Sequence, residues 1–200
     1  MAGNVSSAKA ALRQAVRARR RALAHDEVRR LGGEVQKHLT ALLSFRPGLT
    51  LALYAANEQE VPTRPLFDLA RAQGTRCVLP RVAESDRVLS FHQVESFAEL
   101  VRSPCLPVFE PTVDAPFVDL SAIDVFLVPG VAFSVGGGRL GRGGGYYDAT
   151  LAQTQGWKVA LAFECCVVNE LPIEPNDVPM DALVTEARSV VWHRARGDAF

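Results

Sequence analysis

Apolar residues recur along the chain with two periods, and the switches between them mark out the elements. Over residues 8–24, Leu12, Val16 and Leu23 with several alanines form a stripe at helical spacing, and Ser6 or Ser7 is suited to cap it. Residues 26–43 put Val28, Leu31, Val35, Leu39 and Leu42 on one side of a second helix, which Gly32 and Gly33 weaken without breaking. Pro47 and Gly48 turn the chain into a strand at residues 49–54, and a loop follows at 55–61. Thr63 is expected to cap a helix over 64–73, with Pro65 in its first turn and Gly74 as its stop. Further strands are expected at 76–79 and 87–94 and a short helix at 95–101. An extended connection is expected at 103–117, where four prolines interrupt regular structure.

The apolar run from Ile123 to Val128 is rich in β-branched and aromatic residues, as in a strand covered on both faces. Beyond it the pattern predicts one long glycine-rich loop at 129–145, a helix from Tyr146 or Tyr147 to Gln155 stopped by Gly156, and a strand at 157–163. A Pro-rich loop at 171–178 and a last strand at 180–185 follow, and the tail from Ser189 is expected to be loosely held. Strands that alternate with helices, with no region dominated by hairpins, indicate an α/β domain of three layers around a largely parallel sheet. Residues 1–200 are expected to form it as a single unit.

The glycine-rich loop turns the question from fold to chemistry. Seven of the fifteen glycines fall between Gly136 and Gly145, with Arg139 and Arg142 set among them. Without Cβ atoms, such a segment can aim several backbone N–H groups into one concavity, and the two guanidiniums add forked, permanently charged donors that match phosphate or carboxylate. A helix beginning at Tyr146 would bring its amino-terminal dipole to the same anion. A purely structural glycine loop has no need of two arginines. No Lys-Ser or Lys-Thr follows the glycines, so the P-loop pattern fails. Gly136, Gly138 and Gly141 do satisfy GxGxxG, with Glu164 near the place of a ribose-binding acid, and this keeps a dinucleotide-dependent oxidoreductase open. Against it, the loop is longer than the roughly two to six residues usual between strand and helix.

Composition narrows the setting. A hydrophobic content of 48% with 22 Lys+Arg against 22 Asp+Glu gives a near-neutral chain with no electrostatic case for nucleic acid. No apolar run approaches the roughly 20 residues of a membrane span, and there is no signal-peptide core. Cys77, Cys105, Cys165 and Cys166 show no CxxC spacing. The adjacent pair is poorly placed for an ordinary structural disulfide, so reduced thiols in a cytoplasmic protein are expected. His25, His38, His92 and His193 lack ligand spacing, and no zinc site is expected. Eight of the 22 basic residues precede Leu31 against only Asp26 and Glu27, a bias that by position favours a solvated basic face, with an Arg-rich transit segment also open. Within it Lys9 and Arg13 share a helix face. Glu60 sits at the carboxyl end of a strand, where open α/β sheets place ligand sites, although lone loop carboxylates are commonly just solvated. Arg81 reads as a surface charge or an outer anion contact, and Phe91 and His92 as strand residues or as neighbours of the site.

The segment GGGRLGRGGGYYD closely resembles the signature of the 5-formyltetrahydrofolate cyclo-ligases, also called methenyltetrahydrofolate synthetases. The helix carrying Lys9 and Arg13, the segment NEQEVPT around Glu60 and the late segment LPIEPNDVPMDALVTE extend the resemblance over most of the chain. It implies a NagB/RpiA/CoA-transferase-like arrangement and an ATP- and Mg²⁺-dependent conversion of 5-formyltetrahydrofolate to 5,10-methenyltetrahydrofolate with release of ADP and phosphate; separately, a monomer is expected. In the family's scheme the formyl oxygen attacks the γ-phosphate, and the folate N10 then closes the ring and expels phosphate. The resemblance further implies nucleotide contacts from Lys9, Arg13, Arg139, Leu140, Gly141, Arg142, Gly143, Gly144, Gly145, Tyr146 and Tyr147. Folate contacts are implied for Ala55, Glu60, Arg142, Gly143, Gly144, Gly145 and Tyr146, and metal ligation for Asp148 and Asp177. Arg142 is the expected catalytic group, stabilising the transferring phosphoryl. Two positions depart from the pattern. Ser134 stands where the family often has Asp, which bears on a loop hydrogen bond, and Gly144 where some members carry Lys, which removes one phosphate contact. With those departures a non-catalytic ATP or folate binder also stays open.

Overall fold

Short strands whose side chains are buried on every position can only lie inside a sheet covered on both faces, and such strands form the middle of this protein. The computed structural model describes residues 2–82 and 87–193. In chain order its helices are α1 Ala2–Arg21, α2 His25–Leu42, α3 Arg64–Ala72 and α4 Tyr146–Leu151. Its strands are β1 Thr50–Ala52, β2 Arg76–Val82, β3 Leu89–Gln93, β4 Val101–Arg102, β5 Phe109–Glu110, β6 Phe117–Val118, β7 Val125–Val128, β8 Ala132–Ser134, β9 Arg139–Leu140, β10 Trp157–Leu161, β11 Val167–Val168, β12 Ala182–Val184 and β13 Ser189–Val191. The main sheet has the order β13-β12-β10-β7-β1-β2-β3-β6. Its five inner strands from β12 to β2 are parallel, and antiparallel strands finish both edges. The α/β class with a largely parallel sheet is therefore as expected. Every residue of β1, β7 and β12 is buried, which is why these segments read as continuous apolar runs.

Local differences from the sequence reading have local causes. Helix α1 begins at Ala2, so Ser6 and Ser7 are exposed residues inside it rather than caps. Thr63 is not a side-chain cap of α3, because its hydroxyl donates instead to the carbonyl of Tyr54. Strand β2 runs through Pro80 to Val82, pairing with β3 in a hairpin; Pro80 lies beyond Val78, the last residue paired with β1, so its missing N–H breaks no bond to that neighbour. The short helix expected at 95–101 is a single 3₁₀ turn, Phe97–Glu99, followed by strand pairing of β4 with β5 inside the proline-interrupted connection. The tail from Ser189 is not loose at its start, since β13 zips antiparallel onto β12; residues 194–200 lie outside the described residues. Among the described residues no helix is long and apolar enough to cross a membrane.

Two glycines show how tightly the core specifies its backbone. A Cβ on Gly156, just before β10, would lie 2.5 Å from the Ile123 carbonyl oxygen and 2.6 Å from the Phe126 ring, whereas one on Gly33, within α2, would meet nothing within 4 Å. Gly156→Ala is therefore expected to destabilise the fold by about 1–3 kcal/mol through overpacking. Gly33→Ala should stabilise it by about 0.5–1 kcal/mol through helix propensity. Denaturant melts of the two variants check the opposite signs.

Candidate active site

Three parallel strands end side by side, and their exits build one wall of a cleft. β1 continues into Tyr54 and Ala55, β2 carries Pro80 and Val82, and β7 continues into Pro129 and Gly130; all of these line it. This is the carboxyl edge of the sheet, where strands diverge into loops and α/β proteins gather ligands. The loop after β1 is fixed from within. Tyr54 donates its hydroxyl hydrogen to the Val61 carbonyl at 3.1 Å, and Glu60 accepts the Asn57 N–H at 3.1 Å, leaving the Glu60 carboxylate only 7% exposed.

The glycine run divides into two parts with separate work. Residues 131–140 form the β8–β9 hairpin, not loop, with Ala132 opposite Leu140 and Phe133 opposite Arg139. β11 adds a parallel strand beside β8. Gly136 to Gly138 make the turn: Gly137 has φ +89°, and the Ser134 backbone N–H donates to the Gly138 carbonyl at 2.9 Å. Ser134 Oγ accepts the Gly138 N–H at 2.9 Å, so the loop hydrogen bond is made by serine at this position. The first two glycines of the GxGxxG match thus belong to a hairpin turn, and Glu164 bonds Thr185 Oγ1 at 2.7 Å and Arg188 at 2.6 Å, which removes the support for a dinucleotide site. Only Gly141 to Gly145 form the loop at the cleft, with Gly143 at φ +111° and Gly145 at φ +76° entering α4. α4 itself has six residues and stops at Leu151, short of Gln155. A Cβ on Gly144 would stand 2.9 Å from the Tyr146 ring, so glycine there lets the ring fold over the loop.

Charged side chains close the cleft from elements far apart in sequence. Lys9, 6% exposed, donates to Asp177 at 2.6 Å and Glu174 at 2.7 Å. Burial alone would lower its pKa, but those two carboxylates outweigh it and hold the ammonium above its ordinary 10.5. Arg13 donates through Nε to the Gly141 carbonyl at 2.9 Å, tying α1 to the glycine loop. Arg139, 6% exposed, has its guanidinium 5.5 Å from the Tyr147 ring centroid and Nη2 2.8 Å from Asp148 Oδ1. That pair is close but badly angled, so buried Nε and Nη2 keep no hydrogen-bond partner. Arg142, more exposed, reaches Glu60 at 2.7 Å. Desolvation and then the cations Arg20, Arg13 and Arg142 depress the Arg17 pKa, a mark of concentrated positive charge on this face of α1. Desolvation, followed by the Glu60 charge, pushes the Tyr147 phenol up.

One cleft of about 380 Å³ brings together all the residues expected at the site: Lys9, Arg13, Ala55, Glu60, the segment from Arg139 through Asp148 that includes Leu140, and Asp177. Asp148 also accepts the Val178 N–H at 3.3 Å, which sets the two expected metal carboxylates on adjoining parts of the wall. Arg81, Phe91 and His92 do not line the cleft, and the strand reading of the last two holds. Arg81 binds the Pro111 carbonyl and the fully buried Glu110, so it braces β2 against β5. Phe91 packs edge-on against Phe126 in the core, and His92 is held by Ser90 and the Ala115 carbonyl. The sequence reading missed Glu174 and the wall from Leu106 to Phe109, which belongs to the supposed surface connection. The apolar pattern of that segment, with Phe109 half exposed, was the available signal.

A profile of the 5-formyltetrahydrofolate cyclo-ligase family matches residues 5–186. The Escherichia coli K12 5-formyltetrahydrofolate cyclo-ligase is 35% identical over 185 residues, covering 88% of this chain and 100% of the relative. The chain belongs to the 5-formyltetrahydrofolate cyclo-ligase family. The mouse cyclo-ligase is 26% identical over 193 residues, covering 91% and 95%. The solved Aquifex aeolicus 5,10-methenyltetrahydrofolate synthetase superposes with a TM-score of 0.81 at 35% identity, covering 94% of this chain and 95% of that one. The Mycoplasma pneumoniae enzyme of the same name gives 0.71 at 30% identity, covering 89% and 98%. In this cyclo-ligase family member, the Ser134 hydroxyl oxygen holds the hairpin turn through the Gly138 N–H.

Two measurements follow from this geometry. Ser134→Ala removes the acceptor of the Gly138 N–H and should destabilise the protein by about 1 kcal/mol, seen as a lower denaturation midpoint. Lys9 is raised in the folded state, so its contribution to stability is full below the ordinary lysine pKa and is lost as pH rises through the higher folded value. Lys9→Met should therefore flatten the alkaline limb of the stability profile above about pH 10 while leaving the slope between pH 6 and 8 unchanged.

Proposed function

We propose that this cleft catalyses the ATP-dependent cyclisation of 5-formyltetrahydrofolate to 5,10-methenyltetrahydrofolate, releasing ADP and phosphate. The observation that carries the reading is the meeting of Lys9, Arg13, Arg139 and Arg142 with the glycine loop on one side of a cleft whose other side, from Leu106 to Phe109, is apolar. A triphosphate needs the first surface, and a flat pterin with its aromatic tail suits the second together with Tyr146 and Tyr147.

Transfer of a phosphoryl group asks the protein mainly for alignment and neutralisation of charge. The formyl oxygen attacks the γ-phosphorus and the bond to the β-phosphate oxygen breaks, giving ADP and an iminium phosphate. Folate N10 then adds to the activated carbon, the C–O bond to phosphate breaks, and the N10 proton leaves to solvent. Arg142 is the group for the transferring phosphoryl, being forked, cationic and exposed enough to swing from Glu60. Lys9 and Arg13 hold the nucleotide from the α1 wall, and the N–H groups of Gly143, Gly144 and Gly145 with Arg139 hold its phosphates. Glu60 accepts hydrogen bonds from the pterin ring N–H groups once Arg142 has turned to phosphate.

Asp148 and Asp177 are the residues that would hold Mg²⁺. Their hard oxygens suit it, and no group of three or more His, Cys, Asp or Glu among the described residues is placed to hold a metal ion by itself, so the ion would rely on phosphate oxygens and water for the rest of its shell. When bound, it would neutralise charge on the β- and γ-phosphates. The whole chain, residues 1–200, acts as one cyclo-ligase domain, as a cytoplasmic monomer.

The test is to mix the protein with 5-formyltetrahydrofolate and MgATP and follow methenyl absorbance and phosphate together. Equal, ATP-dependent appearance of both is expected, whereas ATP binding with neither signal would refute the reading. Arg142→Ala should lower turnover by about 10²-fold or more with the fold retained by circular dichroism; an active variant would remove Arg142 from its assigned role.

A further inference from the structure

Behind the cleft, the chain leaves β10 through a 3₁₀ turn, Glu164–Cys166, that packs against α1 and contains two adjacent cysteines. Their sulfurs lie 3.9 Å apart, with Cys166 buried and Cys165 half-buried. Cys166 faces a cavity of about 10 Å³, room for a single water, that is also bounded by Arg20, Tyr54, Glu60 and Gly130. Arg20 is 7% exposed; its Nη1 donates to the Gly130 carbonyl at 3.2 Å, and its buried Nε has no partner. Gly130 and Glu60 line the cleft on their other side. The dithiol is thus one small cavity away from the active-site wall.

Adjacent cysteines are not shaped for a relaxed disulfide. Their Cα atoms are about 3.8 Å apart across a trans peptide, short of the usual span of about 4.4–6.8 Å, and bringing the sulfurs to about 2.05 Å requires the backbone of the turn to move. A strained disulfide of this kind is readily reduced. We propose that Cys165 and Cys166 form a peroxide-sensitive modification site that closes reversibly into a vicinal disulfide, shifting the turn and, through Arg20, loosening the Gly130 edge of the cleft. The Cys165 thiolate attacks a hydroperoxide, the O–O bond breaks, and a sulfenic acid forms with release of water or an alcohol. The Cys166 sulfur then displaces the sulfenic hydroxyl as a second water. The two sulfurs lose two electrons in all, the peroxide gains them, and both thiol protons end on the oxygen products. The division of labour has electrostatic support: the hydrogen bond with Cys166 holds the Cys165 thiol below its ordinary pKa against the opposing effect of burial, while that same bond and burial push Cys166 up.

The test uses the full chain carrying Cys105→Ser, which removes the exposed competing thiol. After reduction it is treated with equimolar hydrogen peroxide and read by peptide mass and amide hydrogen exchange. The expected result is loss of two hydrogens on the peptide holding both cysteines, reversed by dithiothreitol, with exchange several-fold faster around Arg20 and Gly130. Adding Cys166→Ser should stop the reaction at a dimedone-reactive sulfenic acid on Cys165. An unmodified dithiol, or a disulfide formed with exchange unchanged at Arg20 and Gly130, overturns the proposal. Neither readout requires turnover, so the outcome is independent of the cyclo-ligase reading.

Discussion

The ammonium of Lys9 is buried between two carboxylates, and the α1 wall of the cleft depends on that charge being answered. Taking a lysine out of water is penalised by several kcal/mol, which is recovered only with good geometry to both Asp177 and Glu174. The partners lie 168 and 165 residues away, so the pair clamps the first helix onto a loop near the other end of the sequence. One turn further on, Arg13 holds the Gly141 carbonyl, and two turns beyond that Arg20 holds Gly130. Val16, with no exposure, seats the same helix in the core. A single helix face therefore fixes the glycine loop, the β7 exit and the late acidic loop relative to one another.

Charge balance is the second constraint. Lys9 has Asp177 and Glu174, Arg13 a carbonyl, Arg139 has Asp148, and Arg142 has Glu60. An anionic substrate must exchange with these partners. Arg142 is the readiest to exchange because its side chain is 42% exposed, and a pair so open to water contributes little to stability. Arg139 is the opposite case. It is buried, stacked near Tyr147 and left with unsatisfied N–H groups, a costly state that an anion at the glycine loop would relieve.

Much of this could be read from the chain because period and burial agree there. All four residues of β7 are apolar since both of its faces are covered, and of the α2 stripe Val28, Leu31, Val35 and Leu39 are in fact buried while Leu42 is only partly so. The site residues were legible for a different reason: a glycine-dense loop with two arginines, matched by three flanking motifs, leaves few alternatives. What could not be read was how the glycines divide. Gly137 and Gly143 look alike in sequence, yet one turns a hairpin and the other borders the cleft, a distinction made by the pairing of β8 with β9. Glu174 was hidden because only the docking of α1 gives it a partner. The wall from Leu106 to Phe109 was read as surface because prolines signal irregular backbone and say nothing about what it faces.

The claim that the buried Lys9 pair clamps the first helix over the cleft is tested most directly by amide hydrogen exchange on Lys9→Met. In that variant α1 around residues 8–14 and the loop at 174–178 should lose protection together, while β10, β7 and β1 keep theirs. Protection of both segments at the level of the unsubstituted protein would contradict it.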